Sequence, residues 1–337
     1  MTHAGHSAGG ASAPASTARH PTRESFLDAR ARVAGHVHHT PLLTSSLLDD
    51  ATGCKVYLKA EMFQRTGSYK IRGPLNKFAL LTPEQKQRGV ICSSAGNHAQ
   101  GVALAAKIHG IRAVVVMAQN ATPSKVAATR AYGAEVILHG SIWDEANQKA
   151  VELCEREGLT YVHPFDDPQL IAGQGTLGLE VYQDLPEIDA AIVPIGGGGL
   201  ISGVSMALKL MKPSVRVIGV ESSGAPGMWQ SVRAGRLVTL DEVTCIIDGL
   251  RVKRVGELTF SIVSRWVDEI VTLPDEKIFN AVVWLMAYQK VVAEGAAAAP
   301  VAALLNGLIE LPAGSRVVCV LSGGNLDLSQ LSGLRWN

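Results

Sequence analysis

Short apolar, β-branched runs punctuate this chain at 90–92, 113–117, 135–138, 191–195, 216–220 and 316–321, and helix-like segments bracket each of them. Strands buried on both faces read as such continuous runs, and their alternation with helices predicts a mostly parallel sheet covered on both sides. In sheets of this kind ligands gather where strand ends meet helix starts, so motifs at those junctions carry the most weight. Segment 21–87 opens with a helix over 23–35, continues through the turn His39-Thr40-Pro41 and ends in a lysine-bearing stretch. The His36-Val37-His38-His39 cluster reads as a loop, because its histidines do not share one helical face and no acid adjoins them.

Composition narrows the classes. A chain of 337 residues suits one large domain or two lobes sharing a cleft. Hydrophobic residues at 47% against 18% charged describe a compact enzyme and exclude a disordered chain. The formal net charge of +1, with no long basic run, offers nothing to nucleic acid. Five scattered cysteines, with no Cys-x-x-Cys pair, indicate neither a zinc site nor a redox couple and suit a reducing cytoplasm. No apolar stretch reaches the roughly 20 residues needed to cross a bilayer, so no membrane partner is expected. Residues 1–20 are rich in Ser, Ala, Gly, His and Thr and read as a disordered tail, with an organelle transit peptide as the alternative.

Four junctions carry candidate chemistry. In Ile192-Val193-Pro194-Ile195-Gly196-Gly197-Gly198-Gly199-Leu200 a buried strand runs into four glycines and then a helix starting near Ser202. Backbone N–H groups freed by glycine, beside the positive end of a helix dipole, form a phosphate cradle. Glu221 ends the next strand about twenty residues on, where a dinucleotide-binding unit places its ribose acid, so a nicotinamide reading stays open although a strict Gly-x-Gly-x-x-Gly fails. The second junction, Ser93-Ser94-Ala95-Gly96-Asn97-His98-Ala99-Gln100-Gly101, clusters hydroxyls, an amide and N–H groups at a helix start, which suits an amino-acid carboxylate or serves only as a cap. Lys70, between Tyr69 and Ile71, is a surface charge or, if buried, a nucleophile with a lowered pKa. Ser322-Gly323-Gly324-Asn325 closes the last strand and is, alone, an ordinary turn.

Taken together and in order, Gly-Ser-Tyr-Lys-Ile-Arg-Gly, Ser-Ala-Gly-Asn-His-Ala-Gln-Gly, Gly-Gly-Gly-Gly-Leu and Ser-Gly-Gly-Asn resemble the serine/threonine dehydratase family of fold type II pyridoxal-phosphate enzymes, which are tryptophan synthase β-like. The resemblance runs from about Pro21 to Asp327 and includes His163-Pro164-Phe165-Asp166, Gly173-Gln174-Gly175-Thr176 and Asp248-Gly249-Leu250. It implies a two-lobed α/β fold, each lobe a mostly parallel twisted sheet flanked by helices. The large lobe would take 21–85 plus 165–337 and the small lobe 86–164. It also implies that Lys70 carries pyridoxal 5'-phosphate as a Schiff base and moves protons at Cα. Gly196, Gly197, Gly198, Gly199 and Leu200 would hold the cofactor phosphate, Asn97 the pyridine oxygen and Ser322 the ring nitrogen, with Tyr69 stacked near the ring. Ser94, Ala95, Gly96, Asn97 and His98 would surround the substrate carboxylate.

The reaction so implied is loss of water, then ammonia, from a small β-hydroxy amino acid such as L-threonine or L-serine. Serine racemases share the scaffold and place a second serine where Ala95 stands, so its methyl favours elimination over inversion. The family's cation loop would use Glu221, the carbonyl of Ala225 and an acid where this chain has Gly227, and no metal is assigned. Arg251 stands where relatives often have a small residue; it would select a substrate with an extra carboxylate, such as 3-hydroxyaspartate, or form a surface salt bridge. A binding protein of this fold without turnover would lack the lysine that this chain has. A homodimer is expected from the resemblance alone.

Overall fold

The computed structural model describes residues 20–327 and 330. The expected tail therefore lies outside the described residues except for His20, whose Nε2 sits 2.9 Å from Ser261 Oγ. Among the described residues ten strands form two sheets. Strands β1 (Leu42–Thr44), β2 (Lys55–Ala60), β3 (Val90–Ser93), β4 (Ala113–Met117), β5 (Glu135–Leu138), β6 (Thr160–Tyr161), β7 (Ala190–Pro194), β8 (Arg216–Ser222), β9 (Glu269–Leu273) and β10 (Arg316–Leu321) follow one another along the chain. One sheet runs β1-β2-β10-β7-β8-β9 and the other β5-β4-β3-β6. Every pairing is parallel except that of β1 with β2.

The apolar runs sit where their composition places them: β3, β4 and β7 are buried along their whole length. The run at 135–138 is instead an edge strand with Glu135 and Leu138 exposed. The helix opening the chain is Arg23–Val33, capped at Thr22 and ending before Gly35, which takes a left-handed φ of 76°. The helix expected near Ser202 begins earlier, as Gly199–Met211, and the helix of the second junction is Asn97–His109. Their first turns therefore include the junction residues themselves.

The helix Pro168–Asp184 lies against both Arg72–Ala79 and Gly199–Met211. Glycine lets these backbones touch: a Cβ on Gly173 would fall 2.6 Å from the Arg72 carbonyl oxygen, and one on Gly203 would fall 2.5 Å from that of Ile171. At this contact Arg72 is fully buried. Its Nε and Nη2 each donate to Glu61 at 2.8 Å, while Nη1 and Nη2 donate to Glu180 at 2.6 and 2.9 Å. Buried Lys59 donates to the same Glu180 at 2.7 Å. Two cations thus face two carboxylates, joining the end of β2, the start of the Arg72 helix and the middle of the long helix.

Removing one partner from such a network leaves the others buried and uncompensated. Arg72→Leu should lower the free energy of unfolding by about 3–5 kcal/mol, read as a lower urea midpoint with an unchanged slope.

Candidate active site

Lys70 lies on a short, tightly held segment. Two 3₁₀ turns, Arg65–Gly67 and Tyr69–Ile71, flank Ser68, and Thr66 and Gly67 both take left-handed φ values, 66° and 70°. The segment is pinned to the turn after β10: Tyr69 N–H donates to the Ser322 carbonyl at 3.1 Å, and Gly324 N–H to that of Gly67 at 2.9 Å. The Lys70 amine donates to the Pro164 carbonyl at 2.8 Å and stands 5.3 Å from the centre of the Tyr69 ring. Burial lowers its pKa to about 8, although the negative charge of Glu294 opposes the shift.

The four glycines after β7 occupy places that no side chain could share. A Cβ on Gly196 would meet the Gly249 carbonyl oxygen at 2.3 Å, and one on Gly197 would meet the Phe165 ring at 2.2 Å. Gly198 caps the helix Gly199–Met211 with a φ of 93° and contributes no side-chain bond to its free N–H groups. Thr259 Oγ1 holds the Gly197 carbonyl at 2.8 Å, turning that oxygen away from the cradle's donors. Leu200 and Ser322 are buried at the ends of the loop and of β10. Pro164 and Phe165 join the two features, since one carries the Lys70 contact and the other walls the glycine loop.

After β3, Ser94, Ala95, Gly96 and Asn97 are half-buried at the start of the helix Asn97–His109, whose N-cap Gly96 supplies no side-chain bond. Ser94 Oγ accepts the Gly96 N–H at 3.2 Å. His98 does not face the same way: its Nε2 sits 3.0 Å from the Val162 carbonyl, and burial pushes its pKa down to about 3. It is therefore neutral, and only its backbone N–H is placed at the helix start. Asn97 Nδ2 donates to Glu294 at 2.7 Å, and Asn97 Oδ1 accepts from Asn325 Nδ2 at 2.7 Å.

Pro164, Phe165, Glu294 and Asn325 had no assigned role in the sequence. The first two sit in a segment whose resemblance was visible but whose function was not. Glu294 carried one signal: an isolated acid directly before the Ala-rich helix Gly295–Leu305 that it does not cap with its side chain. Glu221, the acid of the dinucleotide reading, directs both carboxylate oxygens at the N–H groups of Met228 and Trp229, at 2.9 and 2.7 Å, and caps a helix. Burial raises its pKa to about 8. Among the described residues no cluster of three His, Cys, Asp or Glu side chains could hold a metal ion. Arg251 is exposed, and among the described residues it joins no salt bridge, so the surface ion pair considered for it is not formed.

A cleft amine of lowered pKa, a glycine cradle at one helix start and a second helix start lined by Ser94 and Asn97 define an enzyme that holds a phosphorylated, aldehyde-bearing cofactor. The chain belongs to the pyridoxal-phosphate dependent enzyme family, whose sequence model matches residues 33–323. It is 49% identical over 310 residues to an L-threonine ammonia-lyase of Thermotoga maritima, covering 92% of this chain and 77% of that one. Among solved structures it resembles a processed threonine deaminase isoform 2 of Solanum lycopersicum, with a TM-score of 0.87, 37% identity and 93% and 94% of the two chains covered. It also resembles maize serine racemase, with a TM-score of 0.88, 39% identity and 91% and 94% covered. The nicotinamide reading falls with the family match.

The residues present fit pyridoxal phosphate, because no side chain caps the N–H groups at the start of the helix Gly199–Met211, and the glycines before it pack against the Gly249 carbonyl and the Phe165 ring, where a Cβ has no room. Gly197→Ala should weaken retention of the cofactor at least about tenfold, measured by equilibrium dialysis. With the Lys70 pKa near 8, the neutral amine grows with rising pH. Cofactor-free protein should therefore react with pyridoxal phosphate faster as pH climbs through about 8 and level off above it, followed by absorbance.

Proposed function

We propose that this chain removes water and then ammonia from a small β-hydroxy amino acid, L-threonine or L-serine, releasing a 2-oxo acid. The observation that carries the reading is the Lys70 amine, held in the cleft by the Pro164 carbonyl, in a chain 49% identical to an L-threonine ammonia-lyase. Bound pyridoxal phosphate supplies an electron sink for the substrate Cα. Lys70 would anchor it and take the substrate Cα proton, and its lowered pKa suits proton transfer near neutral pH. Gly196 to Gly199 and Leu200 hold the phosphate, Tyr69 walls the ring, Asn97 donates to the ring oxygen and Ser322 meets the ring nitrogen. Ser94, with the N–H groups of Gly96, Asn97 and His98, orients the substrate carboxylate at the positive end of a helix.

Ser322 decides between outcomes. A hydroxyl does not keep a pyridine nitrogen protonated, so charge arriving from Cα is incompletely absorbed and loss of the β-substituent is favoured. Ala95 supports the same choice, because a methyl cannot deliver a proton to the second face of Cα. Likeness to serine racemase is thereby a likeness of scaffold.

We further propose that the large lobe comprises 21–85 plus 165–337 and the small lobe 86–164, with the cleft between them, and that the chain works as a cytoplasmic homodimer. The absence of disulfides among the described residues suits a reducing compartment, and no helix among them is long and apolar enough to cross a membrane.

The holoenzyme should be offered L-threonine, L-serine, 3-hydroxyaspartate and D-serine while 2-oxo acid, ammonia and inversion are followed separately. Oxo-acid release from L-threonine without inversion is expected, with a loss of at least about 10²–10⁴-fold in Lys70→Ala. Inversion at a comparable rate would make the protein a racemase instead.

A further inference from the structure

We infer that Glu294 is a positioning residue for the cofactor: by accepting the Asn97 side-chain N–H, it fixes which way round the Asn97 amide stands. The inference deepens the pyridoxal-phosphate reading above and rests on it. An asparagine amide presents one acceptor and two donors on nearly the same shape, so its polarity is set by its neighbours and by nothing intrinsic.

At Asn97 both neighbours impose the same sense. Asn325 Nδ2 donates to the Thr66 carbonyl at 2.8 Å and to Asn97 Oδ1 at 2.7 Å, and Asn97 Nδ2 donates to Glu294 Oε1 at 2.7 Å. Donors therefore run in one direction away from Asn325. A reversed Asn97 would set its oxygen against a carboxylate and its N–H₂ against the N–H₂ of Asn325. Among the described residues one side-chain N–H of Asn97 has no acceptor, and a donor is what a cofactor ring oxygen needs.

The two ends of this chain of bonds are themselves anchored. Glu294 N–H donates to the Gly323 carbonyl at 3.0 Å, and a Cβ on Gly323 would lie 2.7 Å from Glu294 Oε1. Thr66 keeps its carbonyl on Asn325 with a left-handed φ of 66°, a backbone state that β-branched residues rarely adopt. The Glu294 side chain forgoes the N-cap of its own helix for this contact. Asn97 follows a strand of the four-stranded sheet, whereas Gly323 and Asn325 follow β10 of the six-stranded one. Glu294 thus sets an amide from one sheet by reference to the other.

The test is a double-mutant cycle read by cofactor binding and spectrum. The dissociation constant for pyridoxal phosphate and the position of its visible band are measured for wild type, Glu294→Ala, Glu294→Gln, Asn97→Ala and the Glu294→Ala/Asn97→Ala pair. Glu294→Ala should weaken binding about tenfold and move the band, whereas Glu294→Gln, which keeps an acceptor, should stay within about threefold. In the Asn97→Ala background the alanine at 294 should change binding by less than about twofold. Asn325→Ala, which removes the opposing donor, should give the same background-dependent loss and serves if Glu294→Ala does not fold.

An undiminished effect of Glu294→Ala without Asn97, or a wild-type constant and band in Glu294→Ala, would overturn the inference and leave the site reading intact. Failure of borohydride to fix cofactor on Lys70 in wild type would overturn both.

Discussion

Two residues beyond the reactive amine, the buried guanidinium of Arg72 bridges Glu61 and Glu180, and the placement of Lys70 depends on that bridge. Buried ion pairs contribute little net stability, because desolvation offsets much of their attraction. They are nevertheless strict, since any arrangement that separates the partners strands charge in a low dielectric. Lys59 and Thr40 complete the set, Lys59 donating to the Thr40 carbonyl as well as to Glu180, and Thr40 Oγ1 donating to Glu61. With residue 61 fixed at one end and 72 at the other, the turns between them have little freedom. The strained Thr66-Gly67 pair persists there because its surroundings over-determine it.

The same logic of ends brings the remaining chemistry together. Strands β3, β7 and β10 end, respectively, at the Ser94–Asn97 helix start, the glycine cradle and Ser322. Their parallel pairing within each sheet puts like ends on one side, where ligands collect in open α/β sheets. The two sheets meet through backbone contacts as well as through the side chains of Asn97, Glu294 and Asn325. A Cβ on Gly101 would lie 2.6 Å from the Lys70 carbonyl oxygen, so the helix after β3 rests directly on the lysine segment. Glycine at these points is a condition of assembly.

The sequence showed the class of fold and the ordered motifs, because buried parallel strands are written as unbroken apolar runs and glycine loops as unbroken glycine. It did not show β2, where Lys55 and Lys59 interrupt the pattern; Lys59 is buried only because Glu180, far along the chain, receives it. Likewise β9 is half-buried along most of its length at the sheet edge and lacks the continuous apolar signal. Among site residues the motif-borne ones were legible, but Pro164 and Glu294 act through a backbone oxygen and a long-range contact. Pro164 shows only as part of a motif, and Glu294 only as an isolated acid before an Ala-rich helix. His98 shows the converse: a motif member whose ring turns into the protein, because the Val162 carbonyl partners it there.

Electrostatics in the cleft then follow from geometry. Enclosure lowers the Lys70 pKa to about 8, and burial raises that of Glu294, while the Asn97 N–H and the Lys70 amine pull it back. Among the described residues these two groups form no salt bridge with each other: the amine donates to the Pro164 carbonyl and the carboxylate accepts from Asn97. A salt bridge between them would raise the amine's pKa and blunt its nucleophilicity. Each having a separate neutral partner, the lysine would remain available to an aldehyde and the carboxylate would remain a fixed acceptor.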